Sequence, residues 1–133
     1  MDFAKRYANL NTAQKKAVDT IDGPVMIIAG PGTGKTELLG VRVANILKKT
    51  DTLPENILCL TFTESGANAM RERLTGIIGK DAYKVAVHTF HSFGSEVMNQ
   101  NGEFFYSGAH FLPADELSSY EIMQEIFGEL KHD

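Results

Sequence analysis

A chain of 133 residues with 43% hydrophobic content has apolar material for one core, and a domain of this size buries roughly two-thirds of the surface its unfolded chain exposes. Thirteen Lys and Arg against seventeen Asp and Glu give a net charge of −4, which excludes a broad basic surface as the means of holding nucleic acid, so any such contact has to be local. The lone Cys59 excludes an internal disulfide and a thiol-rich metal site. No run approaches the roughly 20 apolar residues of a membrane helix, and MDFAKRYANL lacks a signal-peptide core, so the expectation is a soluble, cytoplasmic protein with no membrane contact.

The first element to stand out is Val25 to Ala29, a short apolar run ending in a glycine-rich turn, which predicts a buried strand. From Thr36 to Leu47, Leu39, Val43, Ile46 and Leu47 recur at helical spacing and predict a face packed on a sheet. The pattern repeats with Asn56 to Thr61 as strand and Glu64 to Leu74 as helix, then with Lys84 to His88 as strand and Phe90 to Gln100 as helix. Strands alternating with helices imply a mainly parallel sheet with right-handed crossovers.

Between Asn101 and Pro113 the glycines 102 and 108 mark a loop, whose Phe104, Phe105, Tyr106 and Phe111 are expected to cover the core. From Asp115 to about Leu130, Tyr120, Met123, Ile126, Phe127 and Leu130 form one helical stripe, expected in core or interface packing.

The strongest chemical signal is AGPGTGKT, Ala29 to Thr36, set between the first strand and its helix. Gly32 and Gly34 permit backbone angles closed to other residues, so that successive N–H groups of Ala29, Gly30, Pro31, Gly32, Thr33 and Gly34, proline excepted, can turn toward phosphate oxygens. The helix that follows adds its positive end, Lys35 reaches the β and γ oxygens, and the Thr36 hydroxyl is a ligand for Mg²⁺. This assigns Lys35 and Thr36 the catalytic roles and ATP with Mg²⁺ as cofactors, although kinases, GTPases, transporters and motor ATPases all use such a loop.

Three further segments carry a resemblance. LNTAQKKAV, Leu10 to Val18, resembles the adenine-recognising Q motif of superfamily 1 helicases of the UvrD/Rep/PcrA type, in which Gln14 would read the adenine edge; a side-chain amide offers the donor and acceptor this needs. LTFTESGANAMRERL, Leu60 to Leu74, is similar to the family's motif Ia, with Glu64 and Ser65 where asparagine and lysine often stand. VHTFHSFGSEVM, Val87 to Met98, resembles its TFHS segment. The resemblance implies an α/β fold, a P-loop NTPase (RecA-like) parallel sheet flanked by helices, incomplete and ending in a C-terminal helical segment. Residues 1–100 would form part of the ATP-binding domain and 101–133 the start of a helical insertion. It also implies contacts from Thr61, Phe62, Thr63, Thr89, His91 and Ser92 to single-stranded DNA, with Phe62 either a stacking platform or plain core. By the same resemblance the parent protein is an ATP-dependent DNA helicase of 3′ to 5′ polarity, serving repair or recombination.

Past His91 no apolar strand ends in the acidic cluster that holds Mg²⁺ in such enzymes, and Asp115 and Glu116 fall at a helix start. The expectation is therefore a truncated chain that binds nucleotide without turnover, holds DNA weakly, and self-associates through uncovered edges and apolar faces. Two rivals share the loop: a small P-loop kinase, which leaves the Q-motif and TFHS resemblances unexplained, and a non-catalytic ATP-binding module.

Overall fold

The computed structural model describes residues 3–30, 32, 34–105 and 114–130. They fall into two units, Met1–Phe93 and Gly94–Asp133. Pro31, Thr33, Tyr106, Gly108, Phe111 and Pro113 of the sequence reading lie outside the described residues.

The first unit is mostly helical around a small parallel sheet. Its elements are α1 (Phe3–Ala8), α2 (Thr12–Asp19), α3 (Lys35–Lys49), β1 (Leu58–Thr61), α4 (Glu64–Ile78), β2 (Ala86–Thr89) and the start of α5 (Phe90–Gln100). β1 and β2 pair in parallel, with Leu58 opposite Ala86 and Thr61 opposite Thr89. A parallel pair needs a crossover, and α4 supplies it. Thr63 caps α4 by accepting from the Gly66 N–H at 3.1 Å. At the other end Gly79 terminates the helix with φ of 63°, an angle that costs a residue with Cβ.

Two apolar clusters flank α3. On one side Val43 joins Ala67, Met70 and Leu74 of α4 with Val87 of β2 and Val85 just before it. On the other, Leu38 and Val41 meet Leu10 and Val18, with Ile27 and Ile77 packed alongside. This double burial rotates the inward stripe of α3 from that expected: Leu38 and Val41 are buried, whereas Leu39 is 42% exposed. Buried Asn45 is satisfied by donating to the Val18 carbonyl at 2.9 Å, and Arg42 donates to the Ala17 carbonyl. These two bonds use orphan carbonyls at the end of α2 and fix that helix against α3. Beside them the Tyr7 hydroxyl donates to Asp19 at 2.6 Å and, with Lys49, holds that carboxyl below its ordinary range.

The predicted strand Val25 to Ala29 is not part of the sheet, which among the described residues has two strands. The side-chain alternation is still that of a strand: Val25, Ile27 and Ala29 are half-buried while Met26 and Ile28 are 86% and 90% exposed. Strand formation needs a ladder partner as well as the pattern, and β1 and β2 pair only with each other. The α/β reading therefore stands as a mostly helical arrangement with a two-stranded parallel sheet.

In the second unit, α5 continues to Gln100, a 3₁₀ turn spans Gly102–Phe104, and α6 covers Glu116–Glu129. Asp115 caps α6 through the Ser118 N–H at 2.7 Å. The expected stripe forms but finds no core among the described residues, since Tyr120, Met123, Ile126, Phe127 and Leu130 are all exposed. Phe104 is likewise exposed, contrary to its expected place over a core, and Phe105 is half-buried. Periodicity defines an apolar face; it does not supply the surface that covers it.

Candidate functional site

Two regions of the first unit carry the predicted chemistry. At the first, Gly32 and Gly34 hold φ of 72° and 77°, as the glycine spacing requires. Gly34 is the N-cap of α3 and brings no side chain to it. The N–H groups of the first helical turn therefore need another acceptor, and this end also carries the helix's positive potential. Ala29, Gly30 and Lys35 line a cavity of about 280 Å³, and Gln14, from α2, lines the same cavity. Lys35 Nζ donates to the carbonyls of Gly30 and Ala29, at 2.7 and 3.2 Å. Thr36 follows in the same turn, half-buried.

Gln14 has a second task. Its N–H donates to Asn11 Oδ1 at 2.9 Å while its Oε1 accepts from the Asn11 N–H at 3.0 Å, a capping box that starts α2. The box fixes the amide: Oε1 is engaged by the helix, leaving the two Nε2 hydrogens as its donors.

A triphosphate fits this donor set. Helix N–H groups without a side-chain cap, two glycines in the left-handed region and a lysine that, among the described residues, donates to carbonyl oxygens form an anion cradle. For Mg²⁺ the fit rests on the Thr36 hydroxyl, because the described residues hold no cluster of His, Cys, Asp and Glu suited to a metal. Mg²⁺ commonly takes few protein ligands and completes its shell with phosphate oxygens and water.

The second region lies at the carboxyl ends of the strands. Thr61 and Thr89 are register partners, so the segments following them emerge side by side. All six predicted DNA contacts thus belong to one sheet end, where open α/β sheets commonly bind ligands. They differ in availability. Phe62 is 83% exposed, and Thr63 and His91 are exposed. Thr89 is buried: its Oγ1 accepts from the Ser92 N–H while Ser92 Oγ accepts from the Thr89 N–H, both at 3.0 Å. These two hydroxyls are engaged in starting α5, as Thr61 Oγ1 is engaged in donating to the Thr63 carbonyl at 2.9 Å. Phe90, which the sequence marks only as a helix start, sits between Thr89 and His91 and is 59% exposed.

Comparison with known protein families matches residues 10–133 to the UvrD/REP helicase N-terminal domain. The chain belongs to this family. Among curated relatives of the UvrD/REP family, the ATP-dependent DNA helicase PcrA of Leuconostoc citreum is 33% identical over 125 residues, covering 93% of this chain and 17% of that protein. Its counterparts in Staphylococcus epidermidis and Staphylococcus aureus are each 32% identical over 118 residues, covering 89% of this chain and 16% of theirs. The chain thus spans about a sixth of the length of these UvrD/REP relatives. No described helix is long and apolar enough to cross a membrane.

Proposed function

We propose that this chain is the nucleotide-binding portion of an ATP-dependent DNA helicase, and that it binds Mg-ATP at the α3 N-terminus and single-stranded DNA at the strand ends. One observation carries the reading: Gln14 from the segment resembling the Q motif and Lys35 from the phosphate loop, remote in sequence, line one cavity. In this reading Gln14 donates from Nε2 to the adenine edge. The backbone of Ala29 to Gly34 and the first turn of α3 hold the phosphate oxygens, Lys35 exchanges its two carbonyl partners for β and γ oxygens, and Thr36 contributes its hydroxyl to Mg²⁺. Bound Mg-ATP supplies the phosphoanhydride whose cleavage drives such motors.

At the strand ends Phe62 offers its face to a base, while Thr63 and His91 are the groups available to the DNA backbone. Thr61, Thr89 and Ser92 act there by shaping the helix starts. The polarity is 3′ to 5′ and the setting is repair or recombination, by likeness to the family. Residues 101–133 begin a helical insertion, and the chain by itself binds nucleotide without turnover. Exposed Met26, Ile28 and the α6 stripe support self-association.

Thermal unfolding with Mg-ATP, and separately with oligothymidine, tests the reading. A ligand bound only to the folded state at a hundredfold excess over Kd stabilises it by about 2.7 kcal/mol, so each should raise the midpoint by about 10 °C. No rise with either ligand at millimolar concentration would remove the function from this chain.

A further inference from the structure

Glu37 is the third residue of α3, directly after Lys35 and Thr36. A carboxylate so close to a phosphate cradle is electrostatically adverse unless it is held, and here it is held twice. Arg6 Nη1, from α1, donates to Glu37 Oε1 at 2.7 Å and Oε2 at 2.9 Å, and Arg73 Nη1, from α4, lies 3.0 Å from Oε2. The Arg6 and Glu37 side chains are only 14% and 27% exposed, and Arg6 Nε is buried with no hydrogen-bond partner among the described residues. The triad carries one net positive charge and, with Gln14 and Gly34, lines a cavity of about 380 Å³.

Beside it α3 and α4 approach at Gly40. A Cβ there would lie 2.8 Å from Ile77 Cδ1 and 3.3 Å from Arg73 Cγ, so the two helices touch without slack. Helix α4 is continuous from its Thr63 cap, which puts Arg73 about 15 Å along the rod from the exposed Thr63.

We propose that Glu37 and Arg73 are positioning residues that couple the two ligand sites: the pair transmits the state of the α3 N-terminus to the Thr61–Thr63 segment, and the reverse. The inference rests on the nucleotide and DNA reading above. A triphosphate at the α3 N-terminus competes with Glu37 for the positive field of Arg6 and Arg73, so the hold of α3 on α4 differs between the empty and filled states. Arg73 then shifts with the rod whose first residues would meet DNA. Reciprocity follows, because each ligand changes the other's affinity by the same factor.

The test measures the Kd of this chain for Mg-ATP with and without saturating oligothymidine, in the wild type and in Arg73→Ala, Arg73→Lys and Glu37→Gln. In the wild type the affinity should change about fivefold or more. Arg73→Ala should weaken and Glu37→Gln should tighten Mg-ATP binding taken alone, because one removes a positive and the other a negative charge beside the α3 N-terminus, whereas both should keep the oligothymidine Kd within about twofold while the factor falls to about one. Arg73→Lys should retain part of it, since charge survives but the planar fork does not. A merely structural role would weaken the binding of both ligands in both variants and leave the factor in place. Both ligands binding to the wild type with a factor of one overturns the inference alone, as does a full factor in the variants. If Arg73→Ala does not fold, the two near-isosteric variants decide by the same criterion. Failure of the wild type to bind either ligand on its own overturns the functional reading and this inference with it.

Discussion

Gln14 has two tasks, and two substitutions separate them. Gln14→Glu preserves the capping box, because a carboxylate accepts from the Asn11 N–H as the amide oxygen does at 3.0 Å. Its charge in the first turn of α2 adds about 0.3–1 kcal/mol of favourable helix-end interaction. Gln14→Ala deletes the back-bond, worth about 0.5–1 kcal/mol at this half-buried position. At about 3–5 °C per kcal/mol for a chain of this length, Gln14→Ala should lower the midpoint by several degrees while Gln14→Glu leaves it unchanged or slightly raised.

Both variants lose the Nε2 donor, so both should bind Mg-ATP more weakly. One unmatched polar contact of about 1–3 kcal/mol corresponds to about 5- to 150-fold in Kd. The assay pairs thermal unfolding without ligand with titrations of Mg-ATP and Mg-GTP, and the preference for adenine should vanish in both variants. Wild-type ATP affinity in a fully stable Gln14→Glu chain would refute the reasoning and leave Gln14 as a helix cap.

The close approach of α3 and α4 predicts that Gly40→Ala destabilises the chain by about 1–3 kcal/mol, the range for overpacking a tight contact, because its Cβ would meet Ile77 Cδ1 at 2.8 Å; denaturant titration reads this, and an unchanged midpoint counts against the packing. The hydrogen bonds of Ser118 hold the Asp115 carboxyl below its ordinary range, so the cap stabilises α6 above the unfolded carboxyl's pKa and is lost as pH falls through the lowered folded value. The protection of the Ser118 amide against exchange, taken relative to the intrinsic rate at each pH, should therefore fall on acidification in the wild type and stay level in Asp115→Asn, which caps without titrating. Burial pushes the Cys59 thiol upward, so a thiol reagent at neutral pH should modify it more slowly than free cysteine, and at the same rate as free cysteine only if β1 is open.

What could be read from the sequence depended on which signal each element carries. Helices α3, α4 and α5 bear glycine-loop, capping or post-strand signatures, and their starts were placed within a residue of those observed. Helix α2 was missed because only Val18 is buried and no apolar stripe exists, although Asn11 and Gln14 stand at capping-box spacing. Val25 to Ala29 has a strand's alternation without a ladder among the described residues, since a local pattern does not contain the partner a strand needs. At the site, the phosphate loop was legible because its spacing is itself the mechanism. The Arg6–Glu37–Arg73 triad was not, because its members are 31 and 36 positions apart and each resembles an ordinary surface charge. Thr89 and Ser92 show the opposite case, in which hydroxyls at DNA-contact positions are engaged in the cap of the next helix.

Direct titration of Mg-ATP into this chain and into Lys35→Ala tests the central claim most closely. Among the described residues Lys35 Nζ has two carbonyl partners to leave, and a charged hydrogen bond of about 1.5–3 kcal/mol corresponds to about 10- to 150-fold in affinity. Saturable binding to one site, weakened by that factor in Lys35→Ala, is the predicted result. Equal affinity in the two chains, or no binding to either at millimolar nucleotide, would contradict the assignment of the α3 N-terminus as the ATP site.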